Sequence, residues 1–271
     1  MADAYTTFPL TGAINLNVRV MQGSVLVTAR DDVTEATVRL TPRDPGSDLL
    51  QRTVVEMSGP TLTIATPRQG GGLAEMLIGW RRDRERLDAE IVVPTGTATK
   101  ITTGTAAITV KGRVGGADVS TGSADIVLDT VDGDLRLRYG SSTATTSEVT
   151  GAVTVRSGSG NASFGTVGGH LQAGFGSGDL NVDVARGGVR SRTGSGDASI
   201  GAVHGDVDIA AGSGKVTIGL PVGISAKLEV TTGSGRVKSD LPIEQTESGN
   251  GKAITIRART GSGDVRLFRA A

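Results

Sequence analysis

Gly104, Gly122, Gly140, Gly158, Gly176, Gly194 and Gly212 stand 18 residues apart without a slip. A second glycine column follows 11 residues behind the first, at Gly115, Gly133, Gly151, Gly169, Gly187 and Gly205. Self-similarity at a fixed period marks a repeat architecture, in which each unit buries its apolar face only against its neighbours. The 41 glycines and 3% aromatic residues would otherwise suggest a low-complexity chain. Disorder, however, does not hold apolar residues in fixed columns, and this sequence does.

Counted from the first glycine, offset 4 holds Ile108, Ile126, Ala144, Ala162, Leu180, Ala198 and Val216. Offset 6 holds Val110, Leu128, Thr146, Phe164, Val182, Ile200 and Ile218. Beyond the second glycine, offset 13 runs from Ala117 and Leu135 to Val207, and offset 15 from Val119 and Leu137 to Ile209. A fifth column, at a bend, holds Val131, Val149, Val167, Ala185 and Val203. Pairs of columns spaced by two are strand alternation with one face buried. The glycines between them let the backbone turn sharply. Each repeat therefore reads as turn, short strand, bend, turn, short strand. A left-handed hexapeptide helix would place apolar residues every six, which this chain does not do.

The pattern predicts an all-β fold: a right-handed parallel β-solenoid with coils of about 18 residues, flattened or irregularly three-sided. Residues 96–271 form the solenoid, closed by a C-terminal capping loop at 240–252, where the spacing stretches. Residues 1–95 lie outside the period and read as an N-terminal antiparallel β cap over the open edge. Within that cap Ile14 to Val20, a turn at Gln22–Gly23, and Val25 to Val27 read as a hairpin. Leu73, Met76, Leu77 and Trp80 share one face of a short helix expected within 73–86, followed by the basic Arg81, Arg82, Arg84 and Arg86. These eight are the candidate interaction residues. The segment reads either as a plug for the core or as a docking surface.

Little in the chain speaks for chemistry. Lys plus Arg and Asp plus Glu are both 28, so charge gives no reason to expect nucleic acid as a partner. With no cysteine there is no thiolate site. Asp3 in a start without a basic n-region speaks against an export signal, and the cytoplasm is the expected location. The Gly-Ser-Gly-Asp turns suggest calcium rolls, but Lys215 ends the Asp column, and Asx turn capping accounts for it. Gly212 to Lys215 belongs to a repeat column and lacks the rest of a phosphate loop. His170 and His204, the only histidines, fall at different offsets, with no gathered nucleophile, base and oxyanion site. No enzyme, cofactor or metal is expected. Arg136, Arg138, Arg156, Arg190 and Arg192 cluster near the second strand and make one face locally basic, most simply a solvated face and otherwise a partner site.

With the repeats laid out, the chain resembles the DUF4097 family of β-strand-repeat proteins, described as candidate adhesins. The likeness is carried by Glu90 to Gly96, the Gly-Ser-Gly turns from Thr193 through Asp264, the Val-x-Gly-Asp turns at 131–134 and 203–206, and Arg236 to Pro242. It implies a solenoid without an established enzymatic activity. The architecture is also similar to that of bactofilins, which polymerise end to end. A structural or interaction protein presenting a repeat β surface to a protein partner is expected, as a monomer or small homo-oligomer. A module that binds a polysaccharide or cell-envelope polymer along the turn ladder, and an envelope-stress accessory protein that docks to a membrane surface, are the alternatives.

Overall fold

The computed structural model describes residues 3–44, 47–67, 85–241 and 253–270. The chain divides into two compact units, Met1–Asp132 and Gly133–Ala271. No helix among the described residues is long and apolar enough to cross a membrane.

In chain order the first unit holds β1 (Ala4–Pro9), β2 (Asn15–Val20), β3 (Gly23–Arg30), β4 (Glu35–Pro42), α1 (Leu49–Arg52), β5 (Val54–Ser58) and β6 (Thr61–Ala65). It continues with β7 (Leu87–Pro94), β8 (Ala98–Thr103), β9 (Ala107–Val114), β10 (Ala117–Thr121) and β11 (Ile126–Val131). Each coil contributes one strand to each of two sheets. One sheet runs β1-β4-β7-β3-β9-β11 and the other β5-β6-β2-β8-β10.

The antiparallel cap is present, in β1 with β4, β4 with β7, and β5 with β6. It is narrower than residues 1–95. β2 pairs in parallel with both β6 and β8, and β3 with both β7 and β9. Residues 15–30 are thus a solenoid coil seated between the coil that ends in β7 and the coil of β8 and β9. The expected hairpin is corrected by this pairing: β2 and β3 lie in different sheets, and Gln22–Gly23 is a corner. Gly23 has φ +119°, and a Cβ there would run into the Leu87 carbonyl, so the corner admits only glycine. Period-two alternation reports a half-buried strand but not whether the next strand pairs beside it or crosses the core.

The second unit holds β12 (Leu135–Tyr139), β13 (Thr143–Val149), β14 (Val153–Ser159), β15 (Asn161–Val167), β16 (Leu171–Ser177), β17 (Leu180–Ala185) and β18 (Val189–Ser195). Then come β19 (Ala198–Val203), β20 (Val207–Ser213), β21 (Val216–Leu220), β22 (Ala226–Ser234), β23 (Val237–Ser239), β24 (Ile254–Ser262) and β25 (Val265–Arg269). Parallel pairs 18 residues apart, such as Val153 with Leu171 and Leu171 with Val189, build both sheets. The five expected columns are buried throughout, with Leu137, Val149, Val167, Ile200 and Ile209 fully so. A sixth inward column was not legible: Tyr139, Phe175, Thr193 and Ala211 are buried at its offset. Its mixed polarity hides it, although two aromatics at one offset are a usable signal.

The end of this unit departs from sequence order. β24 lies between β20 and β22, and β25 between β21 and β23. The glycine column follows suit: a Cβ on Gly261 would meet the Gly212 carbonyl at 2.7 Å, and one on Gly233 the Gly261 carbonyl at 2.7 Å. The last coil in sequence is the penultimate coil in space. β22 and β23 are outermost, and Leu228 and Val237 are 38% and 50% exposed although their register partners Ile256 and Val265 are at 0%. The expected capping loop lies outside the described residues from 242 to 252. Asp240 donates its N–H to the Leu267 carbonyl and pairs with Arg266 at 3.0 Å.

Candidate functional site

Of the eight candidate interaction residues, Leu73, Met76, Leu77, Trp80, Arg81, Arg82 and Arg84 lie outside the described residues. Arg86 is exposed, and its backbone N–H donates to Asp44 Oδ2 at 3.0 Å. Its neighbour Glu85 accepts from Ser47 and pairs with Arg52 at 2.7 Å, which anchors this stretch to α1. Nearby, Asp88 accepts from Ser24 and Arg43. Partial burial works to raise its carboxyl, yet Arg43 and Ser24 hold it below the usual range.

The turn acids are structural. Asn161, Asp179 and Asp197 each accept the backbone N–H of the corresponding residue one coil on, at 2.9, 2.8 and 2.7 Å. They bridge coils where capping of their own turns was expected. Lys215 donates to Asp197, and Arg236 donates to Asp264 Oδ1 in the same way at 2.9 Å, so Gly212 to Lys215 is one rung of this ladder. His170 and His204 are exposed in different coils. Among the described residues no group of three His, Asp or Glu could hold a metal ion.

The feature with most chemical content is the outward face of β12, β14, β16, β18, β20 and β24. Their inward residues fill the core, so alternation sends two columns out on this side. One reads Arg136, Thr154, Gln172, Arg190, Asp208 and Arg257 in register. Its charges are answered: Arg190 faces Asp208 at 3.7 Å, and Arg257 donates to Glu229 of β22 at 2.7 Å. Hydrogen bonds from Arg257, then Lys227, hold the Glu229 carboxyl below the ordinary range.

The second column reads Arg138, Arg156, Gly174, Arg192, Ala210 and Arg259. No acid stands in it. Arg156, Arg192 and Arg259 are exposed and make no hydrogen bond or ion pair within the described residues. Arg138 and Arg156 are direct register partners on neighbouring strands, and like charges so placed oppose folding. Arg257 and Arg259 escaped sequence counting because β24 follows β20 in space but not in the period. Beyond this column runs the glycine column, and beyond that the exposed Ser159, Ser177, Ser195, Ser213 and Ser262, again in register.

Coils with one strand in each of two sheets, stacked in parallel, define the two-sheet β-solenoid as the class of protein. The chain belongs to the Toastrack DUF4097 family, whose model matches residues 14–270. That span opens at the head of β2 and so takes in the coil that the glycine period misses. Among solved structures the chain is similar to a candidate adhesin from Parabacteroides merdae, at 10% identity and TM-score 0.50, covering 98% of this chain and 95% of that one. It is also similar to a candidate adhesin from Bacteroides fragilis, at 11% identity and TM-score 0.46, covering 98% and 97%. A third, a candidate lipid-binding protein from Parabacteroides distasonis, matches at 11% identity and TM-score 0.37 over 97% and 96%. At such identities likeness concerns the fold alone. No curated protein matches the sequence.

Proposed function

We propose that this is a non-enzymatic interaction protein of adhesin-like character, and that its second unit docks an anionic partner on the face of β12, β14, β16, β18, β20 and β24. One observation carries the reading. The column containing Arg138, Arg156, Arg192 and Arg259 has no acidic member, while the column beside it is balanced by Asp208 and Glu229. A solvated face needs no such segregation, and adjacent arginines cost the fold a little stability. Arginine is enriched where proteins meet partners, and its planar fork matches carboxylate and phosphate.

The test is retention on an immobilised sulphated polymer. The unaltered chain is retained and elutes with salt, as expected of exposed charges. A chain carrying Arg156→Gln, Arg192→Gln and Arg259→Gln elutes markedly earlier, whereas Arg190→Gln with Arg257→Gln changes elution less. Equal effects of the two variants would reduce the face to bulk charge and remove the proposal.

A further inference from the structure

The anionic partner can be narrowed by what lies beside the arginine column. We propose that it is an extended acidic polysaccharide running across the strands, its carboxylates on Arg156, Arg192 and Arg259 and its hydroxyls on the serine column. This rests on the anion-docking reading above and adds the chemistry of the chain that is docked.

Three features of the face carry the inference. Arg156, Arg192 and Arg259 stand on β14, β18 and β24, every second strand of the sheet, so the unpaired cations recur at about 9.6 Å, twice the interstrand spacing. Gly174 and Ala210 fill the intervening places, and a Cβ built on Gly174 meets nothing within 4 Å. The guanidinium groups are therefore separated by open floor. Such a row suits a linear polymer with a periodic charge better than one compact anion.

The glycine column gives that polymer a bed. Gly176, Gly194 and Gly212 lie between the arginines and the serines, and a Cβ on any of them would sit 2.6 to 2.7 Å from the carbonyl of the glycine one coil before. Coil-to-coil packing thus keeps this strip bare of side chains. Past it along the strands, at their last positions, come Ser177, Ser195 and Ser213, exposed and in register. A hydroxyl both donates and accepts, which matches the hydroxyls of a sugar. Arginine on one border and serine on the other select a chain that carries both carboxylates and hydroxyls.

Other polyanions fit less well. Single-stranded nucleic acid is held by aromatic platforms on which bases stack. The aromatics of this sheet, Tyr139 and Phe175, are 5% and 6% exposed and point into the core. An acidic peptide recognised by a sheet joins it at an edge, through unpaired backbone groups. The face described here lies on strands whose backbone groups already pair on both sides, as β16 does with β14 and β18.

Fluorescence anisotropy of labelled polygalacturonate with the full chain tests the proposal. Binding is expected to saturate and to weaken with salt. Methyl-esterified polygalacturonate, which keeps the hydroxyls and loses the charge, is expected not to bind. Polyglutamate and single-stranded DNA, which keep charge without the sugar hydroxyls in register, are expected to bind at least about tenfold more weakly, the scale of one lost charge-assisted contact. The Arg156→Gln, Arg192→Gln, Arg259→Gln chain should lose about tenfold or more, and Ser177→Ala with Ser195→Ala a few-fold, on the scale of neutral hydrogen bonds. All five side chains are exposed, and unchanged thermal unfolding of both variants verifies that the fold is kept. Polyglutamate or DNA binding as tightly in an Arg156-dependent way overturns the polysaccharide and leaves the anion-docking face standing. Absence of binding to every polyanion overturns both.

Discussion

The second unit carries two outer faces on the same set of coils, and they differ in almost every outward residue. On one, β12, β14, β18 and β24 present Arg136, Arg138, Arg156, Arg190, Arg192, Arg257 and Arg259. On the other, β13, β15, β17, β19 and β21 contain no lysine or arginine, and basic residues stand only at the end of the sheet, Arg266 and Arg269 on β25 and Lys238 on β23. The outward register reads Thr145, Ser163, Asn181, Ser199 and Thr217 before it reaches Arg266. Inward, the two sheets are alike: aliphatic residues at alternate positions, nearly all below a few per cent exposed. The core therefore sets no difference between the faces. The difference lies in residues that the fold leaves free, which is where recognition chemistry can be placed without cost to packing.

The largest effect is expected in the core that both faces share. Leu137 lies fully buried beneath the arginine face, and Leu137→Ala should destabilise the protein by about 2–5 kcal/mol. Urea unfolding followed by circular dichroism would read this. Because one core supports both faces, the loss should appear as a single transition and not as melting of one sheet.

The turns at the seam between the faces come next. Asp197 Oδ1 accepts the Lys215 N–H at 2.7 Å, and Asp197→Ala should cost about 1 kcal/mol. The neighbouring Asp179 and Asn161 bonds serve the same seam, so a second alanine at Asp179 should cost a similar amount again. A double-mutant cycle checks whether the rungs act one by one or as a ladder.

Tyr139, in the sixth inward column, makes the stability depend on pH. Burial pushes its phenol above the ordinary value near 10, and its hydroxyl donates to the Asn161 carbonyl at 2.9 Å. The folded state thus holds this proton more tightly than the unfolded chain does. The resulting stability is full below the unfolded value and is lost as pH rises above about 10. Tyr139→Phe should cost about 1 kcal/mol at neutral pH through the lost hydrogen bond. It should also unfold less steeply with rising alkalinity than the unaltered protein. Parallel alkaline titrations of the two chains would sink the assignment.

The smallest effect should run the other way. Arg156→Thr removes a like-charge register pair with Arg138, and a gain of about 0.2–0.5 kcal/mol is expected at low salt, fading at high salt. Thr145→Arg on the neutral face, which has Ser163 beside it, should bring no matching penalty. If Arg156→Thr lowers stability, the arginine column is part of the scaffold and the contrast between the faces loses its meaning.

How much of this was legible beforehand depended on range. Offsets such as those of Val153 and Leu171 are set by one coil and its nearest neighbour, so the inward columns and the strand alternation could be read directly. Tyr139 and Phe175 are hidden in the sequence because their column also holds Ser157 and Thr193, and mixed polarity mimics an outward face. Arg136, Arg138, Arg156, Arg190 and Arg192 were legible as a basic cluster. That the column of Arg156 lacks acids while that of Arg190 is answered by Asp208 needed strand register.

The amino-acid sequence alone determined the coil: its 18-residue length, its glycine corners and five of the six columns that face the core, because these follow from local sterics and burial repeated seven times. Only the tertiary structure decided the order of coils at the ends, where β2 and β3 slot inside β6 and β7, and β24 and β25 inside β22 and β23. One coil's apolar columns and open ladder can be satisfied by any other coil of the same pattern. Nothing local says which neighbour a terminal coil will take. That choice belongs to long-range packing, and it is what brings Arg259 into line with Arg192.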